Sequence, residues 1–289
     1  MQCILCGCND TKAVTVKNKK GMKNFFRCAK CDFCFLDREQ LLDSCAEKER
    51  YLHHQNSEDN LGYVEWLSGI VDEAAKVIDL KGKKILDYGC GHTPVLPKIL
   101  QDKEHNISNV DYYDLYFYPD LNAGEKYSCI FSIEVFEHFR DVYKEIEYAL
   151  SFLEKGGYFV LSTGFLLPED KFASWWYIQD ATHISFYSEQ TLDWIAKTFS
   201  LRIVFLNGKN LGWWLQGKDR KRFLSRRKIP RKCLCLPAPF PLQTHVRRIT
   251  QAISRSFGMR SYTDSGTIHG MVTFGYFIPS SIGVKVLSP

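Results

Sequence analysis

The sequence predicts an α/β protein: a doubly wound, mostly parallel sheet preceded by a small cysteine-rich ribbon. Three observations carry this. Lys84-Ile-Leu-Asp87-Tyr-Gly89-Cys-Gly91-His-Thr93 is a strand-like apolar run that breaks into a small-residue turn and then a helix-compatible segment. Strand-like and helix-like segments go on alternating downstream, the pattern of a parallel sheet with crossover helices. Two Cys-x2-Cys pairs stand close to the amino end.

Taken in chain order, Cys3-x2-Cys6 and Cys28-x2-Cys31 are separated by 21 residues, the spacing of a tetrahedral thiolate zinc site. A module of residues 1–36 is too small to fold on its core alone, so a zinc ion is expected to supply its stability. Cys8 and Cys34 are spare thiols near the knuckles, and either could replace one of the four. Residues 37–82 form a helical linker. Its polar stretch, Glu47 to Asn56, leads into an amphipathic helix over about 61–80, with Val64, Leu67, Ile70, Val71, Ala74, Ala75 and Ile78 at apolar spacing.

The run ending at Asp87 is read as a strand whose carboxyl end faces a ligand crevice, where open α/β sheets bind their ligands. Gly89 and Gly91 allow the chain to turn tightly and approach a ligand closely. Thr93 is the expected N-cap and Pro94 the first residue of the helix that follows. A dinucleotide fingerprint would need a third glycine, and none is present at either register. About twenty residues on, Asn106 to Leu115 reads as a second strand ending in acid; Asp114 is the preferred ribose-binding residue and Asp111 its rival. Tyr127–Ile133 is a third strand, running into Glu134-Val-Phe-Glu137-His138. A helix with Val142, Ile146, Ala149, Leu150 and Leu153 on its apolar face follows, and then the strand Gly157–Ser162. The runs 201–206 and 211–215 close the sheet.

In this order and spacing, DYGCG, Asp114, SIEVFEHF, LEKGGYFVLST and THISFYSEQTLDWIAKTF resemble the class I S-adenosylmethionine-dependent methyltransferases, in particular the bacterial branch with a preceding cysteine zinc ribbon (methyltransferase type 12/23-like). The resemblance spans about residues 1–217. It implies a seven-stranded Rossmann-like sheet over 83–217 and S-adenosyl-L-methionine as cofactor. Asp87, Gly89 and Gly91, with Tyr88 and Cys90 between them, would bracket its methionyl part; Asp114 would bind the ribose and Glu134 would flank the cofactor. By the same resemblance the 61–80 helix covers the cofactor, bringing Tyr51, His53 and Tyr63 to the active site. Two departures stand out: Thr93 occupies the family's third glycine position, and the twelve residues between Asp114 and Tyr127 leave no room for a further strand and helix.

A methyl group on a sulfonium is already activated, so such a site works mainly by positioning. A hydroxyl, amine or acidic carbon acceptor benefits from a base. His183, beside the expected substrate loop of Trp175, Trp176 and Tyr177, is the first catalytic candidate and His138 the second. A small molecule is the expected methyl acceptor. The alternative is an RNA base, bound by the ribbon and a basic tail, and a further reading is a regulator that binds cofactor without turnover.

The chain has 289 residues, of which 45% are hydrophobic, enough for a full core, and no apolar run approaches the length that crosses a bilayer. No membrane partner is expected. Eleven cysteines suit a reducing compartment, so the expected location is the cytoplasm. Charge is split: residues 1–217 hold 24 Lys+Arg against 31 Asp+Glu, whereas 218–289 hold 14 against 2. That basic, proline-interrupted segment is expected to be a poorly ordered extension, with a nucleic-acid arm as the alternative.

Overall fold

The computed structural model describes residues 1–18, 21–102, 105–208 and 211–216. The basic extension of residues 218–289 lies outside them. In chain order the elements are β1 (Thr11–Asn18), β2 (Gly21–Cys28), β3 (Cys34–Leu36), α1 (Ser44–Leu52), α2 (Leu61–Ala75), β4 (Ile85–Tyr88), α3 (Leu96–Gln101), β5 (Val110–Tyr113), β6 (Tyr127–Ile133), α4 (Val142–Ser151), β7 (Leu153–Ser162), α5 (Glu169–Phe172), β8 (Ser185–Phe186), α6 (Glu189–Thr198), β9 (Leu201–Leu206) and β10 (Leu211–Gln216). All belong to one compact unit.

The larger sheet runs β5-β4-β6-β7-β10-β9, with β5, β4, β6 and β7 mutually parallel and β10 antiparallel to both of its neighbours. Alternation along the strands decides its two faces. Leu86, Tyr88, Ile130, Phe159 and Leu161 turn to one core, shared with Val142, Ile146 and Ala149 of α4 and Leu192, Ile195 and Ala196 of α6. Ile85, Cys129, Phe131 and Val160 turn to the other, against Leu67, Ile70, Val71 and Ala74 of α2 and Leu96, Ile99 and Leu100 of α3. Helices therefore cover both faces, the doubly wound arrangement. Caps set the helix starts: Asp43 accepts from Ala46 N at 2.9 Å, Asn60 from Tyr63 N at 3.2 Å, and Ser188 forms a capping box with Thr191.

Among the described residues the sheet has six strands rather than seven. Past β5 the chain does not form another strand and helix. It folds back at once, Asp114 and Tyr118 exchanging backbone hydrogen bonds of 3.0 Å in both directions. The helix expected from Thr93 starts later, at Leu96, with Pro97 in its first turn. Thr93 lies two residues ahead of its N-cap position, Val95, and its hydroxyl bonds the His92 ring at 2.9 Å.

The ribbon is not an appendage. Its strands continue into a second sheet, β1-β2-β3-β8, whose last strand comes from the stretch between β7 and β9 of the larger sheet. Cys34 pairs with Phe186 and Phe35 with Ser185, and Leu36 N donates to Ile184 O at 2.8 Å. Phe25 of β2, fully buried, meets Phe172 and Phe186 edge-on, with centroids 5.1 and 5.8 Å away. Truncating it empties the joint between the ribbon and the segments that carry Phe172 and Phe186. Phe25→Ala is expected to cost about 3–5 kcal/mol in denaturant unfolding.

Candidate active site

A cleft of about 580 Å³ opens at the carboxyl ends of β4, β5 and β6, where the strand order reverses. Asp87, Tyr88, Gly89, Cys90, Gly91, Asp114, Glu134, His138 and His183, the predicted cofactor and catalytic residues, all line it. The region between ribbon and sheet forms its cover, through Glu47, Tyr51, His54, Tyr63, Trp66 and Leu67. Tyr51 and Tyr63 reach the cleft as expected; His53 is exposed and does not, and its neighbour His54 takes that place.

The glycine turn is held from within. Gly89 N and Cys90 N donate to Tyr113 O at 2.7 and 3.0 Å, and Gly91 N donates to Asp114 Oδ2 at 2.9 Å. Gly89 has φ 89°, and a Cβ there would stand 2.3 Å from Val135 Cγ2, so the position needs glycine on both counts. Asp114 Oδ1 accepts from Tyr116 N and Phe117 N at 2.9 and 3.2 Å. One carboxylate thus ties the end of β5 to the turn after β4. Asp87 beside it is buried, and that burial, with the Asp114 charge adding, pushes its carboxyl up to about 8.

At the other end of the cleft lies a cluster of imidazoles and acids. Glu134 closes β6 in the left-handed region, φ 54°, a strained conformation for a residue with a Cβ. Its N–H donates to Ser162 O at 2.8 Å, and its carboxylate accepts from Ser162 Oγ at 2.9 Å and Tyr177 Oη at 2.8 Å. Glu137, fully buried, accepts from Thr163 Oγ1 at 2.9 Å through Oε2. Burial and then the neighbouring Glu134 hold its carboxyl well above the usual range. His138 Nδ1 lies 2.9 Å from Thr182 O and His183 Nδ1 lies 2.8 Å from Tyr177 O. A carbonyl only accepts, so each Nδ1 carries the proton and each Nε2 keeps its lone pair. Burial lowers both imidazoles, His183 to about 3, which keeps them neutral.

The aromatics beside His183 do not line the cleft. Trp175 and Tyr177 pack with Phe25, Phe172 and Phe186 in the core below the ribbon, and Tyr177 meets the site from behind, as a donor to Glu134 and through its carbonyl and ring at His183. Partners that no sequence period announces brace the cover instead. Glu47 accepts from Tyr51 Oη at 2.7 Å, Tyr116 Oη at 3.1 Å and Arg140 Nε at 3.0 Å; Arg50 bonds the buried Asp180 at 2.6 Å.

The four thiols of Cys3, Cys6, Cys28 and Cys31 converge, all sulfurs lying within 4.8 Å of one another. The Cys3–Cys31 and Cys6–Cys28 separations are 3.7 and 3.5 Å, near the edge of about 3.8 Å that a tetrahedral ion with 2.3 Å bonds requires. Both knuckles share one construction: the residue after the second cysteine, Gly7 or Asp32, takes positive φ and returns its N–H to the first cysteine's carbonyl, at 2.9 and 3.0 Å. Cys8 and Cys34 stay outside the cluster.

The raised Asp87 carboxyl sets a pH dependence. The folded chain retains a proton that the unfolded chain releases above about pH 4, so stability falls as pH rises from there to about 8. Asp87→Asn is expected to raise the Tm at pH 7, with the gain vanishing near pH 4 in a pH series of thermal melts.

The family model described as a methyltransferase domain matches residues 54–206, beginning after the ribbon. A tRNA U34 carboxymethyltransferase of Pseudomonas fluorescens is 23% identical over 195 residues, 56% of this chain. The chain spans about three fifths of that relative's length, 61%. Among solved structures, an O-methyltransferase family protein of Burkholderia thailandensis superimposes with a TM-score of 0.42 at 14% identity, covering 60% of this chain and 63% of its own. The plantazolicin methyltransferase BpumL, solved with SAH, gives 0.40 at 14% identity, covering 61% and 92%. With more than half of its length matched by the family model, the chain belongs to the methyltransferase-domain family.

Proposed function

We propose that the cleft binds S-adenosyl-L-methionine at the glycine turn and transfers its methyl group to a small-molecule acceptor held near His138 and His183. The observation that carries the cofactor reading is the use of the turn's own N–H groups. Gly89, Cys90 and Gly91 donate to Tyr113 and Asp114, so these three amides are not offered as a cradle for a pyrophosphate. What it offers is carboxylate: Asp87, Asp114 and Glu134 ring the cleft, a complement to a ligand carrying a sulfonium and an ammonium. Asp87, Tyr88, Gly89, Cys90 and Gly91 are assigned to the methionyl part, Asp114 to the ribose and Glu134 to the flank of the cofactor. His183 and His138 are assigned to the acceptor.

The same acids favour a small acceptor over a polyanion. Of the cleft's two cations among the described residues, Arg140 is bonded by Glu47 and Lys144 by Asp141. The tRNA-directed name of the Pseudomonas relative supports the competing RNA reading. Methyl transfer from labelled cofactor into fractionated metabolites and RNA discriminates: label recovered only in RNA overturns the small-molecule assignment.

We assign a zinc ion to Cys3, Cys6, Cys28 and Cys31, where it would stabilise the ribbon rather than take part in the chemistry. The convergence of the four sulfurs and the paired knuckle turns support it.

Two outcomes test these assignments. Asp87→Ala and Gly89→Val are each expected to weaken cofactor binding in calorimetry by about tenfold or more, with unchanged affinity counting against the site. Cys28→Ser is expected to release the ribbon's metal and lower the Tm, and one ion still retained per chain by elemental analysis contradicts the ligand set.

A further inference from the structure

The cluster at the acceptor end holds more than a base. Nδ1 of both His138 and His183 donates to a backbone carbonyl, which orients each ring and leaves its Nε2 lone pair free. Metal-bound histidines are held in this way by their outer-shell partners. Glu137 supplies the third donor. Its side chain is fully buried; Oε2 is satisfied by Thr163, whereas Oε1 has no hydrogen-bond partner among the described residues and lies 3.9 Å from His138 Nε2. A buried, unpartnered carboxylate oxygen is costly unless a cation or donor meets it. Ligand atoms of Glu137, His138 and His183 all stand within 4.8 Å of one another.

We propose that Glu137, His138 and His183 form a second metal site, distinct from the ribbon, which takes a divalent transition-metal ion and presents its remaining coordination positions to the cleft. Two imidazole nitrogens and one carboxylate oxygen suit manganese, iron, cobalt or zinc better than calcium or magnesium, which prefer all-oxygen shells. Glu134 and Tyr177 form the outer layer: Tyr177 Oη donates to Glu134, and Tyr177 O fixes the His183 ring. An ion here sits between two elements that the fold brings together, the turn after β6 and the segment before β8.

Its use in catalysis rests on the methyl-transfer reading above. Coordination of an acceptor hydroxyl to the ion would release the hydroxyl proton to solvent. The oxygen lone pair would then form the new O–CH3 bond as the S–CH3 bond breaks and neutral S-adenosylhomocysteine leaves. The acceptor class this favours is an oxygen nucleophile.

The test separates metal from methyl transfer. Manganese(II), which competes poorly for thiolates, is titrated into the full chain with its ribbon zinc-loaded and no cofactor added, followed by calorimetry and by loss of the free-ion paramagnetic resonance signal. One manganese per chain is expected, with affinity reduced about tenfold or more in Glu137→Gln and in His138→Gln, both checked for folding by thermal melts. Saturable binding that survives both substitutions, or no binding of manganese, cobalt or zinc beyond the ribbon's one equivalent, overturns the site. If the ion binds and methyl transfer to hydroxyl acceptors is unchanged by its removal with a chelator that leaves the ribbon loaded, the metal site stands and its catalytic use falls.

Discussion

Residues 182–187 are held from both sides, and the rest of the site depends on that clamp. On one side Leu36 N donates to Ile184 O and β3 pairs with β8; on the other Ile184 N donates to Glu137 O, and Ser185 Oγ and Tyr187 Oη donate to Phe139 O and Phe136 O. His183 lies in this segment and His138 in the opposing turn, so the distance between the two imidazoles, 4.9 Å between centroids, follows from backbone pairing and not from side-chain packing alone. From α6, Thr191 Oγ1 adds a bond to the carbonyl of the knuckle cysteine Cys31. Order in the thiolate site and order at the acceptor end are consequently linked through few and short steps.

Electrostatics divide the cleft. Asp87, Asp114 and Glu134 make its cofactor side acidic, and desolvation keeps part of that charge off at neutral pH, most clearly at Asp87. A cationic ligand that restores the ionised form gains from the same desolvation that destabilises the free chain. Local instability and ligand affinity are then two readings of one buried carboxyl.

How much of this was legible in the sequence varied with the range of the interaction. The strand, the glycine turn at Gly89 and Gly91, the acid at Asp114 and the paired cysteines are short-range patterns, and the structure gathers them where those patterns imply. The lost strand after β5 was readable as well, because twelve residues cannot hold a strand and a helix. Pairings between distant positions left no period to read: Glu47 with Arg140, Arg50 with Asp180, and β3 with β8. Trp175 and Tyr177 misled for a related reason, since an aromatic pair looks the same whether it faces a ligand or a core. Thr93 stands two residues short of the cap position, because α3 begins only at Leu96.

The swap of β8 into the amino-terminal sheet has a consequence for where this protein can be cut. The family-matched stretch, 54–206, contains β8 without β3, and it contains Phe172 and Phe186 without the Phe25 that packs on them. Expressed by itself, that stretch would present a two-residue strand without its sheet partner β3 and an aromatic face without Phe25. The evolutionary module recognised by its profile is thus smaller than the physical unit that folds.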